Sequence, residues 1–199
     1  MTQLGAIAEV RMGATLRGRD ATRAVPNGRF RLVRIGDISQ DGEWITDQFD
    51  RISPEESISP GLLLRPGDVL FPNRGARTTA CVFRFGYEDA LAGAQFFLLR
   101  PDAQVLLPEF LAWYLRSDDA ARHFDERRTG THVKIIQREA LTDLNIPLPP
   151  LTAQGLIVEL SRLQITERGL SSRIAELKNR LLNHQLIQTA KSLKSIFPK

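Results

Sequence analysis

The chain has 199 residues, of which 42% are hydrophobic and 25% are charged, which excludes a disordered protein and allows one ordinary domain with an extension. Its formal net charge of +4 only mildly favours nucleic acid as a partner. The single cysteine, Cys81, excludes an internal disulfide and indicates a reducing compartment. Because no segment has the pattern of a signal peptide or of a membrane span, we expect a cytoplasmic protein with no membrane partner.

Residues 1–150 are predicted to form a mixed, β-rich domain with short helices. Apolar residues alternate or cluster in the manner of strands over 4–10, 30–36, 68–71, 80–85 and 95–100. Two short helices follow, one with Pro108 in its first turn and the next with Ser117 as its N-cap. A further turn of helix over 138–144 leads into a strand-like segment, 145–150.

After residue 150 the pattern predicts one long helix over 151–190, capped by Thr152, with no proline and with Gly169 near its middle. Its apolar residues recur in alternating steps of three and four, the spacing of a coiled-coil seam. Glu167 and His184 occupy the remaining positions of that series. The residues predicted to pair with another helix are Leu156, Leu160, Leu163, Leu170, Ile174, Leu177 and Leu181.

A helix of roughly 55 Å, at ~1.5 Å per residue, is seldom needed in a globular domain unless it packs along another helix. The alternative is a helix that lies back on its own domain. Residues 191–199 form a basic tail that we expect to fray.

No catalytic pattern emerges from the sequence. The one Pro-Pro pair, Pro149-Pro150, lacks the context of an amino-methyltransferase motif, and no lysine lies near Asp68 and Glu88 to complete a nuclease site. The three histidines, His123, His132 and His184, are isolated, so no metal site is expected. We therefore expect a chain that is not an enzyme by itself and that binds no cofactor.

The chain is rich in arginine: of its 27 basic residues, only five are lysines. Arginine has the planar fork that suits guanine edges and phosphates. Three arginine-bearing loops, which also hold Gly, Thr or Asn, suit a DNA groove. The first loop spans residues 11–23, the second 73–79 and the third 127–134. For any one of them the alternative is an ordinary solvated loop. The predicted DNA-binding residues are Arg11, Thr15, Arg17, Arg19, Arg23, Asn73, Arg74, Arg77, Thr78, Thr79, Arg127, Arg128, Thr129, Thr131, His132 and Lys134.

These motifs resemble the target recognition domain of type I restriction–modification specificity subunits. The resemblance is carried by LGAIAEVRMGATL, FRLVRIGDIS, PGDVLFPNRG and LPEFLAWYLRS. Its most specific part is an order of features: the Thr129-Gly130-Thr131 loop, a short helix, the run IPLPPL, Gln154, and a long heptad helix. The similarity covers essentially the whole chain.

The resemblance implies a specificity subunit that reads double-stranded DNA and recruits a modification subunit. That partner methylates adenine with S-adenosylmethionine, and a restriction/translocase subunit can join the complex in such systems. Full-length members of the family carry two recognition domains whose helices pair as an antiparallel coiled coil. With one domain and one helix, the chain resembles half a subunit, for which we expect a homodimer that reads a bipartite site and takes part in DNA methylation and phage defence.

The sequence departs from the family pattern at three positions: Ala153 stands where glutamate is common, and Glu167 and Gly169 weaken the middle of the seam. Two other functions stay open at this point. One is a decoy or regulator that binds modification subunits without reading DNA. The other is a fragment of an enzyme whose catalytic segment lies outside this chain.

Overall fold

The computed structural model describes residues 1–18, 21–74, 79–127 and 135–196, with side chains described as far as 192. The strands and helices in these ranges are β1 (Thr2–Gln3), β2 (Ala8–Met12), β3 (Phe30–Val33), β4 (Asp50–Ile52), β5 (Val69–Pro72), β6 (Cys81–Val82), β7 (Ala90–Ala92), β8 (Phe96–Pro101), α1 (Pro108–Leu115), α2 (Asp118–Arg127), α3 (Arg138–Thr142), β9 (Asn145–Ile146) and α4 (Leu151–Ile196). The predicted β-rich domain with short helices, followed by one long C-terminal helix, is confirmed.

A four-stranded antiparallel sheet, in the order β2-β8-β5-β6, carries much of the core. Strand β8 pairs with β2 on one side and with β5 on the other, so Leu99 lies opposite both Val10 and Val69. Phe97 and Leu99 belong to one hydrophobic cluster, whereas Phe96 belongs to a second. Apolar residues cover both faces of β8, which explains why its sequence is a continuous apolar run rather than an alternation.

The second cluster joins this sheet to a three-stranded one, in the order β4-β3-β7. Strands β3 and β7 pair in parallel, with Leu32 opposite Leu91. Aromatic rings fill the cluster: Trp44 lies edge to face with Phe49 at 5.4 Å and with Phe83 at 6.0 Å. Such contacts stabilise the core beyond the area that they bury.

Helices α1, α2 and α3 pack into the first cluster through Phe110, Phe124 and Leu141. Phe124 stacks at 5.1 Å on Phe71 of β5, which attaches α2 to the sheet. No helix of the described residues has the length and apolarity needed to cross a membrane.

A buried ion pair closes the turn before β5. Asp68 is 1% exposed and accepts two hydrogen bonds from Arg100, at 2.7 and 2.8 Å, and a third from the backbone N–H of Arg65. The same hydrogen bonding raises the pKa of Arg100. Asp68 therefore has a structural role, with its carboxylate occupied by these donors.

Some predicted boundaries were wrong. Residues 4–6 form a 3-10 turn ahead of β2, and only Cys81–Val82 of the predicted strand 80–85 pairs as a strand. Helix α4 begins at Leu151 rather than after a Thr152 cap, because the carbonyl of Pro150 accepts the N–H groups of residues 153 and 154. It ends at Ile196 instead of near 190, a difference typical of frayed ends.

The chain divides into two compact units after Val158, not at residue 150. The reason is that the first two turns of α4 belong to the domain core, where Val158 is buried and Gln154 is fully buried. Gln154 accepts the N–H of Leu107 at 2.9 Å and donates to the carbonyls of Val105 and Pro149, each at 2.8 Å. Its amide thus fixes the start of the helix to the loop before α1.

We expect Gln154→Ala to lower the free energy of unfolding by roughly 3 kcal/mol, because it leaves one N–H and two carbonyls, all partly buried, without the side chain that bonds them. Chemical denaturation followed by circular dichroism measures the change. The matched control is Gln164→Ala, which removes an exposed glutamine from the same helix and should change stability by less than about 0.5 kcal/mol. Equal effects of the two substitutions would contradict the role of Gln154.

Candidate nucleic-acid interface

Asn73, directly after β5, joins three segments of the chain. The side chain is 3% exposed, and its Nδ2 donates to the carbonyl of Ala94 at 2.7 Å and contacts the sulfur of Met12 at 3.0 Å. Its backbone N–H donates to the carbonyl of Gln95, and its own carbonyl accepts the N–H of Ile136, both at 2.9 Å. Asn73, which the sequence predicted to bind DNA, is therefore buried, and its hydrogen bonds link these segments of the surface.

The start of the second predicted arginine loop lies beside the residue that follows the third. Arg74, in the second loop, forms an isolated β-bridge with Ile135, which directly follows the third loop. Arg74 itself is exposed. Arg74 and Ile135 are thus adjacent, although more than 50 residues separate them in the sequence.

In the first loop, Gly13 and Ala14 lie against residues 92–96, the segment that also contacts Asn73. Their N–H groups donate to the carbonyls of Phe96 (2.9 Å) and Ala92 (2.8 Å). A Cβ atom on Gly13 would collide with the carbonyl of Gly93, so only glycine permits this close approach. Thr15, the next residue, is exposed at the surface.

A cleft of about 380 Å³ lies where these segments meet. The polar side chains that line it belong to Thr15, Thr22, Arg34, Arg74 and Gln95. Arg34 forms an ion pair with Asp50 and donates to the carbonyl of Thr22 at 2.6 Å, so it holds one wall of the cleft.

Sequence reasoning included Thr15 and Arg74 but missed Arg34 and Gln95, because both fell inside predicted strands. No local signal marks Gln95. Alternation would place it on the same face as Phe97, which is buried, because apolar residues cover both faces of β8.

Other predicted residues have different surroundings. Arg17 and Arg23 are exposed, and the backbone N–H of Arg17 donates to the carboxylate of Glu56 at 2.8 Å. Arg11 donates through Nε to Glu9 at 2.6 Å, on strand β2.

Thr79 and Arg127 are also engaged within the protein. Thr79 is 7% exposed and its hydroxyl donates to the carbonyl of Gln40 at 3.3 Å. Arg127, in the last turn of α2, pairs with Glu126 at 3.2 Å. The predicted residues that lie outside the described part of the chain are Arg19, Arg77, Thr78, Arg128, Thr129, Thr131, His132 and Lys134.

Next to Ala80, the buried Cys81 and the partly buried Arg116 have shifted pKa values. Burial is the main cause that raises the pKa of the Cys81 thiol to about 12, so the thiol stays protonated at neutral pH and is a poor nucleophile. Burial also lowers the pKa of Arg116, whose Nη1 donates to the carbonyl of Ala80 at 2.6 Å. Among the described residues, no three His, Cys, Asp or Glu side chains are grouped as a metal site would require.

The predicted helix-pairing residues all lie in α4 and are all exposed. Their exposed fractions run from 48% for Leu177 to 62% for Leu163. The second unit by itself, from Glu159 onward, therefore presents an apolar stripe along a helix, which is the surface that a coiled-coil partner covers.

The sequence matches no family model and no curated protein. Its structure is similar to solved structures of type I restriction–modification proteins. A chain from a structure of the assembly and conformational transition of a type I system aligns with a TM-score of 0.66 at 22% identity. The HsdS subunit of Thermoanaerobacter tengcongensis aligns with a TM-score of 0.57 at 22% identity, and the S subunit of M. genitalium with 0.54 at 15%.

These alignments cover 94%, 87% and 97% of this chain but only 43%, 38% and 46% of the solved chains. The chain thus spans less than half the length of the proteins that it resembles. The fold predicted from the resemblance is confirmed: the chain has the fold of type I specificity subunits.

We expect Asn73→Ala to loosen the cleft, because the carbonyl of Ala94 loses its donor. The free energy of unfolding should fall by about 1–2 kcal/mol. This is a small loss for a buried amide, because Oδ1 of Asn73 has no partner among the described residues. Hydrogen–deuterium exchange should speed up in peptides covering 12–15 and 93–96. In the control Asn145→Ala, which alters an exposed side chain, exchange of these peptides should match the wild type. Unchanged exchange in Asn73→Ala would show that its side chain does not hold the three segments together.

Proposed function

We propose that the chain is a specificity subunit of a type I restriction–modification system, with one recognition domain and one pairing helix. The observation that carries this proposal is the shared fold, which extends over 94% of the chain, including the long helix. The chain is non-catalytic: it reads DNA, and chemistry belongs to its partners. S-adenosylmethionine is bound by the adenine methyltransferase subunit that the chain recruits, and a restriction/translocase subunit is a further partner.

The convergence of three polar segments at one surface supports DNA reading. Arg17, Arg23 and Arg74 are exposed, and Asn73 and Gly13 hold their segments close together. Cationic side chains neutralise phosphates, and backbone that approaches closely lets short polar side chains reach a groove. The residues predicted from the sequence but outside the described ranges belong to the same loops and to the same proposal.

The apolar stripe of α4 supports helix pairing. A soluble monomer rarely leaves a row of half-exposed leucines uncovered, and the steps of three and four match a coiled-coil seam. We propose that a second copy of the chain supplies the other helix. The two recognition domains then read a two-part site on the DNA, with the paired helices setting the distance between its halves.

DNA binding is tested with the full chain and a duplex of mixed sequence. The dissociation constant should rise by more than about tenfold between roughly 50 and 200 mM salt, because bound phosphates release counterions. Replacing Arg17 and Arg23 together with alanine should reduce the slope of log K against log salt by about two. Arg65→Ala, which removes an exposed arginine beyond the other end of β5, should leave the slope unchanged.

The alternative function, a decoy that binds modification subunits without reading DNA, predicts a different result. The chain would then capture the methyltransferase subunit but show no salt-dependent affinity for duplex DNA. That outcome would overturn the proposed function.

Helix pairing is tested by replacing Leu170 and Leu177 with aspartate. Charges facing the apolar seam should convert the dimer to a monomer, which light scattering after size exclusion measures. The matched control places aspartate at Ser172 and Asn179, each two residues further along and on the outer face of the heptad. The control should remain a dimer, whereas a seam variant of unchanged mass would mean that α4 is not the interface.

A further inference from the structure

The cleft between the first and second loops contains two side chains with complementary recognition chemistry. Arg74 presents an arginine fork, and Gln95 presents an amide with one acceptor and two N–H donors. Gln95 is half-buried in the turn between β7 and β8, so it is partly sheltered from water while Arg74 is exposed. No carboxylate lines the described part of this cleft.

The backbone holds both residues in place. The carbonyl of Gln95 accepts the N–H of Asn73 at 2.9 Å, and Phe96 closes the turn by donating to the carbonyl of Gly93 at 3.0 Å. Arg74 directly follows Asn73 and is bridged to Ile135. Side chains that start from fixed positions lose less conformational entropy when they bind, so this arrangement favours specific contacts.

The two side chains are also available. Arg34, the other arginine of the cleft, is committed to Asp50 and to the Thr22 carbonyl. By contrast, no hydrogen bond or ion pair within the described ranges involves the side chain of Arg74 or of Gln95. A half-buried amide without a partner among the described residues gains most from a ligand that offers both a donor and an acceptor.

A DNA phosphate offers only hydrogen-bond acceptors, so a cationic side chain binds it without help from a neighbouring amide. The major-groove edge of adenine offers an N6 donor and an N7 acceptor, which glutamine matches with two hydrogen bonds. The edge of guanine offers two acceptors, O6 and N7, which arginine matches in the same way. The pair of side chains therefore fits base edges better than it fits the phosphate backbone.

We propose that this cleft reads bases of double-stranded DNA, with Gln95 recognising an adenine and Arg74 a guanine. The inference rests on the proposed function and deepens it: Gln95 becomes a determinant of sequence specificity, and Asn73 becomes the residue that positions both readers. Thr15 and Thr22, which are exposed at the rim of the cleft, supply hydroxyl groups to the neighbouring DNA backbone.

The test is selection from a pool of duplexes with a randomised segment, using the full chain and sequencing the bound DNA. Wild-type protein should enrich one motif. Gln95→Ala should lower the preference for adenine at one position by about tenfold and leave the other positions unchanged. Arg74→Ala should do the same for a guanine. Gln104→Ala and Arg65→Ala, which change exposed residues beyond the opposite ends of β8 and β5, should select the wild-type motif.

Gln95→Glu is the sharper variant, because a carboxylate accepts from the amino group of cytosine and repels the N7 of adenine. At the position that Gln95 reads, the preference should move from adenine toward cytosine. Equal melting temperatures of the variants and the wild type show that each remains folded.

Three results would overturn parts of this account, and they are distinguishable. If both alanine variants select the wild-type motif, the cleft does not read bases, although DNA binding stands. If a variant weakens all sequences equally and reduces the salt slope by about one, its residue contacts phosphate instead. If the wild type selects no motif, the proposed function itself fails, whatever the variants do.

Discussion

The buried amide of Asn73 is the interaction on which the candidate interface depends. Its Nδ2 donates to the carbonyl of Ala94, and its backbone pairs with Gln95 and Ile136. Loops on their own cannot hold side chains at the spacing of base edges, because each is entropically free to adopt many conformations. One residue that bonds three segments removes much of that freedom. Without it, the loops would keep their charge but lose their geometry.

Other polar side chains inside the domain are also hydrogen-bonded to protein groups. Asp68 accepts hydrogen bonds from Arg100 and from a backbone N–H, and the Gln154 amide forms hydrogen bonds with three backbone groups. Cys81 is buried and its pKa is raised to about 12. The hydrogen-bonded groups thus stabilise the fold, since burial without partners would cost several kcal/mol.

The two compact units suit different tasks. The first buries its apolar residues in two clusters and leaves polar loops at the surface. The second, a helix with an exposed apolar stripe, has no core of its own among the described residues. A helix gains most of its stability from packing along an apolar face rather than from helix propensity. A partner helix would cover this stripe, which is why recognition and assembly are proposed for separate parts of the chain.

The sequence by itself determined the β-rich domain, the short helices and the long C-terminal helix with its apolar repeat, because periodicity and capping are local properties. It also identified Arg74 and Asn73, as members of a polar loop after a buried strand. Only the tertiary structure decided that Asn73 is buried, that Gln95 lines the cleft and that Gln154 fixes the start of α4. Each of these depends on contacts between residues that are more than 20 positions apart, and no local pattern encodes which distant backbone group a side chain will bond.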